Sequence, residues 1–341
     1  MRKKASLKDI ANRLGVSTAL VSYVLNNKKE GRISKEIAAR IRDVARELKY
    51  TTNQIAKSLK TNKSNTIGLV VSDISNPFFS TLAHIIQEEA GRYGFTVISG
   101  SSDEQAEKSQ QLVNVLIDRQ VEGLIFAASE GSEHQVLDLM DTGTPLVLID
   151  RYFPDLEVSH VAIDNFTASF EAVKHLLTCG IQRIAVIAHD TSLYHTKQRI
   201  EGYRHALETS GFSFDENLII KVPAIHRGEE VKTAVDRLLA LPEPASGVLF
   251  TSSVLSTAAL KYLNTLSVKV PDQLNIISFD ESDAAYLFYA PLTHIRQPLE
   301  QMGKLATSML IDIINGSKEI RKVNLPAELV LGRSTTSPRE H

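Results

Sequence analysis

Nine apolar runs rich in β-branched residues recur between residues 66 and 280, and helical patterns separate most of them. The runs are TIGLVV, FTVISG, EGLIFA, PLVLID, HVAID, RIAVIA, NLIIKV, GVLFTS and NIISFD. Continuous apolar strands that alternate with helices are typical of doubly wound sheets, whose parallel strands are covered by helices on both faces. Nine strands are too many for one small sheet, so the pattern predicts an α/β core of two subdomains. Ligands of such folds bind beyond the carboxyl ends of the strands.

The first 65 residues have a charge and a pattern of their own. They contain 16 Lys and Arg against 5 Asp and Glu, a net charge of +11, whereas the remaining residues carry −13. A basic module attached to an acidic body is typical of a protein that binds a polyanion. Apolar residues recur at helical spacing in three stretches, which predicts three short helices around one core. Ser6, Ser17 and Ser34 stand where they would cap these helices, and Gly15 would end the first.

The first two predicted helices are joined by a short turn that contains glycine, which is the helix-turn-helix arrangement. When the apolar side of the second helix is buried, its outward residues are Thr18, Ala19, Ser22, Tyr23 and Asn26. Small and polar side chains let a helix approach base edges in the major groove. This helix carries no basic residue, so we expect the surrounding Lys and Arg to supply affinity through DNA phosphates.

Three segments resemble the LacI/GalR (lactose-repressor-like) family of bacterial regulators. They are SLKDIANRLGVSTALVSYVLNN, RISKEIAARIRDVARELKY and NQIAKSLKTNKSNTIGLVVSDISNPFF, and the resemblance continues through the rest of the chain. It implies an N-terminal all-α helix-turn-helix head. It also implies an α/β periplasmic-binding-protein-like core of two doubly wound parallel-sheet subdomains.

The resemblance implies two sets of DNA contacts in the head. The base-reading residues would be Thr18, Ala19, Ser22 and Tyr23, and the phosphate contacts would be Ser6, Ser17, Asn26 and Ser34. Two residues depart from the family pattern: Leu20 replaces a small residue, and Tyr23 replaces the usual Arg or His. A tyrosine cannot make the bidentate contact of an arginine with guanine, so we expect a different base preference at that position.

Residues 51–65 form a polar linker without a broad apolar stripe. Seven or eight helical residues are marginal by themselves, so the sequence predicts a plain linker in the free protein. The resemblance implies that residues 53–59 become a hinge helix on operator DNA. The implied contacts are Asn53, Ala56, Lys57 and Leu59, with Leu59 wedged between bases in the minor groove.

The resemblance also implies that the chain crosses three times between the two subdomains. We place these crossings near Asp164, Pro291 and Lys322. The predicted domains are the head (1–50), the hinge (51–65), an N-terminal effector subdomain (66–163 plus 292–322) and a C-terminal effector subdomain (164–291 plus 323–341).

Effector-binding residues follow from the same resemblance. They are Asp73, Phe78, His195, Arg199, Ser252, Ser253 and Asp280. The guanidinium of Arg199 can clamp neighbouring ligand oxygens, and Asp280 can accept from hydroxyl or ring N–H groups. The family usually has Asn-Asp where this chain has Ser252 and Ser253. This difference leaves the identity of the ligand open. Tyr194 or His195 can fill the space that the shorter serine side chains leave. A sugar or sugar phosphate is expected first, and a nucleobase or nucleoside, such as a purine, second.

Patterns that would indicate catalysis or metal binding are weak. There is no glycine-rich phosphate loop, and no His/Cys/Asp cluster has the spacing of metal ligands. The acidic segment FDESD is predicted to be a solvated loop rather than a metal site. The single cysteine, Cys179, excludes an internal disulfide and is predicted to be a buried thiol. We therefore expect that the protein is not an enzyme and binds no cofactor. A sugar-modifying enzyme is the alternative interpretation.

No apolar run approaches the roughly 18–20 residues of a membrane span, and the charged first residues lack the apolar segment of a secretory signal. The sequence predicts a cytoplasmic, nucleoid-associated protein without membrane contact. It predicts a homodimer on pseudo-palindromic, double-stranded operator DNA, because no leucine-heptad tail follows ELVLGRS. The expected function is a ligand-responsive transcription regulator, in particular a repressor of carbohydrate-utilisation genes. A solute-binding module of a sugar transporter is the alternative.

Overall fold

The computed structural model describes residues 5–26, 32–50, 63–223 and 227–336. Contacts divide the chain into two compact units, residues 1–64 and residues 65–341, which we call the head and the body. Across the described ranges, none of the helices combines the length and the apolar character that a membrane span requires.

The described part of the head forms three helices, α1 Leu7–Leu14, α2 Thr18–Leu25 and α3 Lys35–Glu47. Gly15 follows α1 with a φ of +64°, a left-handed conformation that glycine adopts without steric cost. Each helix contributes a completely buried side chain to one core: Ile10, Val21 and Ile41. The three-helix head predicted from hydrophobic periodicity is therefore confirmed.

The described part of the body contains twelve strands and nine helices. The strands are β1 Thr66–Val71, β2 Thr96–Ser101, β3 Leu124–Phe126, β4 Leu146–Ile149, β5 Ser159–Ile163, β6 Ile184–Asp190, β7 Ile219–Pro223, β8 Gly247–Phe250, β9 Asn275–Phe279, β10 Thr293–Arg296, β11 Lys322–Leu325 and β12 Glu328–Val330. The helices are α4 Pro77–Arg92, α5 Ala106–Asp118, α6 Glu133–Asp141, α7 Asn165–Thr178, α8 Tyr194–Thr209, α9 Arg227–Leu239, α10 Ser253–Leu263, α11 Asp283–Leu287 and α12 Leu299–Ile314. Each of the nine apolar runs contributes a strand, from β1 to β9.

The strands form two six-stranded sheets, as the sequence predicted. The first has the order β2-β1-β3-β4-β5-β11 and is parallel throughout. The second has the order β7-β6-β8-β9-β10-β12 and is parallel except for β12, which runs antiparallel to β10. We call the regions around these sheets the first lobe and the second lobe.

The two lobes repeat one topology. In the first lobe the strand order reverses between β1 and β3, and in the second it reverses between β6 and β8. At such a switch point the connections leave toward opposite faces of the sheet, so a crevice opens beyond the carboxyl ends of the strands. The topology therefore places a binding crevice at one edge of each sheet.

Two of the three expected crossings between the lobes are wrong by a few residues. The strand Thr293–Arg296 belongs to the second sheet, so the second crossing lies at residues 297–298 instead of near Pro291. The strand Lys322–Leu325 belongs to the first sheet, so the third crossing lies at residues 326–327 instead of near Lys322. These strands are short and partly polar, so no apolar run marked them. The first crossing separates β5 from α7 and contains Asp164.

Candidate functional site

The side chains predicted to read bases lie on the exposed side of α2. Thr18, Ala19 and Tyr23 are exposed, and Ser22 is half-buried. Val21 and Val24 on the opposite side are buried in the head core. The helix therefore presents the predicted residue set to solvent, as base reading requires.

The residues predicted to contact phosphates are also helix caps. The side-chain oxygens of Ser6, Ser17 and Ser34 accept from backbone N–H groups at the starts of α1, α2 and α3. The Ser6 hydroxyl also donates to Asp9 Oδ2 over 2.7 Å. Its hydrogen is therefore engaged within the cap of α1. At the other end of α2, Asn26 Nδ2 donates to the carbonyl of Ser22 over 2.8 Å. The predicted hinge contacts Asn53, Ala56, Lys57 and Leu59 lie outside the described residues.

A polar cavity of about 50 Å³ lies between the two lobes, beyond the carboxyl ends of both sheets. Six of the seven predicted effector residues line it: Asp73, Phe78, His195, Arg199, Ser252 and Asp280. They come from both lobes: Asp73, Ser252 and Asp280 follow strand ends, Phe78 and His195 lie in the first turn of a helix, and Arg199 lies in the second turn of α8. The sequence prediction of a cleft between two subdomains is therefore matched by this cavity.

Asp280 is held in place by hydrogen bonds from two neighbours. Its Oδ2 accepts from the backbone N–H of Ser253 over 3.3 Å and from the Ser253 hydroxyl over 3.2 Å. Its Oδ1 accepts from Gln297 Nε2 over 2.7 Å. Ser253 does not line the cavity, and its hydroxyl donates to Asp280, so its effector contact stays a prediction. Ser252 caps α10, and its Oγ lies 3.0 Å from His189 Nε2.

Arg199 is buried because two helices approach each other closely. A Cβ on Gly202, one turn after Arg199, would lie only 2.3 Å from the carbonyl oxygen of Phe166, so glycine is needed there. The approach brings Arg199 Nε within 2.7 Å of Asn165 Oδ1. Its Nη1 donates to the carbonyl of Thr251 over 2.6 Å. The Arg-x-x-Gly pattern therefore has a packing function beside any contact with a ligand.

Sequence reasoning missed a buried ion pair at the edge of the first lobe. Arg151 forms a bidentate pair with Glu104, with N–O distances of 2.6 and 2.7 Å. Arg151 Nη1 also donates to the carbonyl of Ala128 over 3.2 Å. Both partners line the cavity. Their positions could have indicated the site, since Arg151 comes two residues after β4 and Glu104 follows β2. A position after a strand does not by itself show that a residue lines the cleft.

Asp150 was missed as well. It is 5% exposed, and its carboxylate lies 3.6 Å from Arg151 Nε. This 3.6 Å contact is longer than a hydrogen bond. Burial raises the pKa of Asp150 to about 6, although Arg151 and Arg199 act in the opposite direction. Burial, together with the two nearby guanidinium groups, lowers the pKa of His195 well below its ordinary value, so this imidazole is neutral at pH 7.

The two predicted aromatic residues have different surroundings. Phe78 is 6% exposed, lines the cavity and packs edge-on against Phe79 with ring centres 4.9 Å apart. Tyr194 does not line the cavity. It packs against Tyr152, which is stacked on His160 at 3.9 Å. Tyr194 therefore does not fill the space left by the two serines, whereas His195 reaches the cavity.

Contacts between the lobes also close the edge of the cleft. Glu130, which follows β3 in the first lobe, accepts from the backbone N–H of Ser192 in the second lobe over 2.6 Å. Burial opposes ionisation of Glu130, but hydrogen bonds from Ser192 and Thr191 outweigh it and lower the pKa. In the described part of the chain no group of three or more His, Cys, Asp or Glu residues is arranged to hold a metal ion. Glu281 of the FDESD segment instead pairs with Arg296.

Comparisons with known proteins match both units of the chain. Residues 6–53 match the family model described as bacterial regulatory proteins, lacI family, and residues 173–335 match a periplasmic binding protein-like domain. HTH-type transcriptional regulator DegA of Bacillus subtilis (strain 168) is 36% identical over 340 residues, with 98% of this chain and 99% of DegA covered. HTH-type transcriptional repressor CytR of Escherichia coli (strain K12) is 32% identical over 312 residues, with 92% and 90% covered.

A solved structure shows the shared fold over the whole length. The crystal structure of the lac repressor dimer bound to operator and the anti-inducer ONPF has a TM-score of 0.85 to this chain. It is 19% identical and covers 98% of this chain and 100% of its own. At that identity the match supports the architecture, a helical head followed by two sheets.

Proposed function

Because the chain belongs to the LacI family of bacterial regulatory proteins, which are DNA-binding transcription regulators and not enzymes, we propose that it is a repressor switched by a small molecule. The proposed ligand site is the polar cavity between the lobes, and the proposed targets are carbohydrate-utilisation genes. One observation carries this proposal: a chain with a helix-turn-helix head also brings six predicted effector residues together in one cavity. The transporter alternative has no support, because the similar proteins are transcription regulators.

We propose that α2 enters the major groove and that the protein binds its operator as a homodimer. A twofold dimer with two heads reads a pseudo-palindromic site, since each head meets one half-site. The test is footprinting of the full chain on the DNA upstream of its own gene, at two salt concentrations. A protected palindrome whose affinity falls with salt is expected. Lack of any such site in the upstream DNA and in a random-sequence selection would contradict the proposal.

Tyr23 provides a sharper test of base reading. It is 36% exposed on the outward side of α2, where an arginine would make a bidentate guanine contact that tyrosine cannot make. We expect Tyr23→Arg to select a different base at one position of the half-site, and Tyr23→Phe, which removes only the hydroxyl, to serve as the matched control. Selection from a random operator library checks this. The same half-site for wild type and Tyr23→Arg would show that residue 23 does not read bases.

We propose that the switch is a change in the separation of the lobes. The cavity of about 50 Å³ is well below the roughly 300–1,000 Å³ of typical ligand pockets, so a sugar-sized ligand requires the lobes to move apart. A ligand that binds one separation better than the other shifts the equilibrium between them. A thermal-shift screen of sugars, sugar phosphates and purines, followed by operator binding with each hit, tests this. A hit that raises Tm but leaves operator affinity unchanged would contradict the switch.

A further inference from the structure

We infer that the effector carries no anionic group and that it presents hydroxyl or amine hydrogen-bond donors to the cleft. This inference rests on the proposed ligand role of the cavity and chooses among the ligand classes that the sequence left open. It excludes sugar phosphates and nucleotides, and it retains uncharged sugars, amino sugars and nucleosides. Three features of the lining residues carry it: their charge, the engagement of their guanidinium groups, and buried acceptors that face the cavity.

The charges that line the cavity favour a ligand without negative charge. Four carboxylates line it, Asp73, Glu104, Asp150 and Asp280, against two guanidinium groups, Arg151 and Arg199. An anionic ligand would bring another negative charge into a buried space that already has an excess of carboxylates. Because charge interactions are weakly screened in a low-dielectric cavity, such a ligand would be repelled.

The two guanidinium groups are already engaged by protein acceptors. Both terminal nitrogens of Arg151 donate to Glu104, and one of them also donates to Ala128. Arg199 uses Nε and Nη1 for Asn165 and Thr251. A bidentate clamp on a phosphate needs a guanidinium whose parallel N–H groups are available. Arg151 would have to leave Glu104 to form one, and on Arg199 the edge that contains Nε is already occupied by Asn165.

Two acceptor groups on the cavity wall, unlike the guanidinium groups, can still accept hydrogen bonds from a ligand. The carboxylate of Asp150 has an ion contact of 3.6 Å with Arg151 Nε, which is longer than a hydrogen bond. Gln297 Oε1 is buried and lacks a donor among the described residues, because its amide nitrogen is turned toward Asp280. Buried acceptors are costly unless they are hydrogen-bonded. A ligand with O–H or N–H groups satisfies both, whereas a phosphate offers further acceptors.

The first experiment ranks matched ligands on the full-length wild-type protein. The pairs are D-ribose with D-ribose 5-phosphate, D-glucose with D-glucose 6-phosphate, and adenosine with AMP, all at equal ionic strength. D-glucosamine against D-glucose separates amine from hydroxyl donors. We expect any ligand that raises Tm to be the unphosphorylated member of its pair, with at least tenfold weaker binding of its phosphate by calorimetry. A phosphorylated member that binds more tightly than its partner overturns the inference.

A second experiment uses inorganic phosphate as its probe. It can be carried out without knowing which sugar or nucleoside is the effector. Glu104→Gln removes the counter-charge of Arg151, so inorganic phosphate should raise the Tm of this variant more than that of the wild type, with chloride at matched ionic strength as reference. The basic head is identical in both proteins, so its own phosphate binding cancels. Asp280→Asn, which removes a different carboxylate, gives the same comparison if Glu104→Gln folds poorly. Equal stabilisation of wild type and variant by phosphate overturns the inference.

These outcomes are separable from failure of the proposed function. Operator footprinting of the wild type reports on DNA binding without any ligand. A footprint together with preferred binding of a phosphorylated ligand would reject only the inference about charge. Absence of a footprint, with uncharged ligands still preferred, would reject the proposed regulator function. It would leave the inference about the charge of the ligand unaffected.

Discussion

Asp150 and Asp280 occupy corresponding positions in the two lobes, yet their surroundings differ. Each directly follows the fourth strand of its lobe, β4 or β9, and each has a left-handed φ, +65° and +68° respectively. Both side chains are buried and line the same cavity. Asp280 accepts hydrogen bonds from Ser253 and Gln297. Asp150 has an ion contact of 3.6 Å with Arg151, which is longer than a hydrogen bond.

Equivalent backbone positions therefore do not give equivalent chemistry. In the first lobe the terminal nitrogens of the nearest guanidinium, Arg151, donate to Glu104, and its contact with Asp150 is 3.6 Å long. In the second lobe the residue after the next strand, Gln297, turns its amide toward Asp280. One carboxylate is therefore a structural anchor of the cleft. The other is an acceptor whose burial is not compensated, and a ligand is the group that can supply its donor.

The largest effect is expected when Arg151 is removed. Arg151→Met leaves Glu104 without its bidentate partner and Asp150 without one of its two nearby guanidinium groups, so we expect the free energy of unfolding to fall by about 3–5 kcal/mol at pH 7. Arg321→Met is the matched control, because Arg321 pairs with Asp312 at the surface and that pair should contribute no more than about 1 kcal/mol. Urea denaturation measures both. Similar losses for the two variants would show that the buried pair has no special role.

The comparison between the aspartates is tested directly by removing each. Asp280→Ala leaves the N–H and hydroxyl of Ser253 and the amide of Gln297 without their acceptor, so we expect a loss of about 2–3 kcal/mol. Asp150→Ala removes a carboxylate whose charge is unfavourable at pH 7, so we expect a smaller loss than for Asp280→Ala. Alanine disfavours a left-handed φ equally at both sites, so this cost cancels. Equal losses in urea denaturation would remove the distinction between the two lobes.

The pH dependence of stability gives a further test of the difference between Asp150 and Asp280. The pKa of Asp150 in the folded protein, about 6, lies above its ordinary value of 3.8, so protonation of this group favours folding. The destabilisation by its charge is complete above pH 7 and is absent below about pH 4. Asp150→Asn should therefore exceed the wild type in stability by about 2 kcal/mol at pH 7 to 8 and equal it near pH 4. A constant difference across this range would contradict the assignment.

The smallest effect concerns the contact that joins the lobes at the edge of the cleft. Hydrogen bonds from Ser192 and Thr191 outweigh burial and lower the pKa of Glu130 below 4.5, so its contribution is present at pH 7 and is lost as the pH falls through the folded value. Because this side chain is exposed, Glu130→Ala should cost no more than about 1 kcal/mol at pH 7. Glu133→Ala, on the nearby helix α6, is the control. A loss that persists at pH 3 would point to packing instead.

Much of the fold was predictable because its signals are local. Hydrophobic periodicity and helix caps marked the three helices of the head, and the apolar runs marked nine strands. The crossings at residues 297–298 and 326–327 were misplaced, because strands β10 and β11 are short and partly polar. Six effector residues expected from family resemblance line one cavity. Ser253 does not, because its hydroxyl is directed toward Asp280.

The class of the protein, a basic helix-turn-helix head and an acidic α/β body whose strand ends face a cleft, follows from the amino-acid sequence. These properties depend on residues that are close in sequence, on composition and on motif resemblance. Which side chains share the cavity, and which partners they bond to, depends on the three-dimensional fold. The partners Arg151 and Glu104 are 47 residues apart, and Asp280 depends on Ser253, 27 residues before it. Each pairing joins residues beyond the ends of different strands of one sheet, so no local pattern encodes the difference between Asp150 and Asp280.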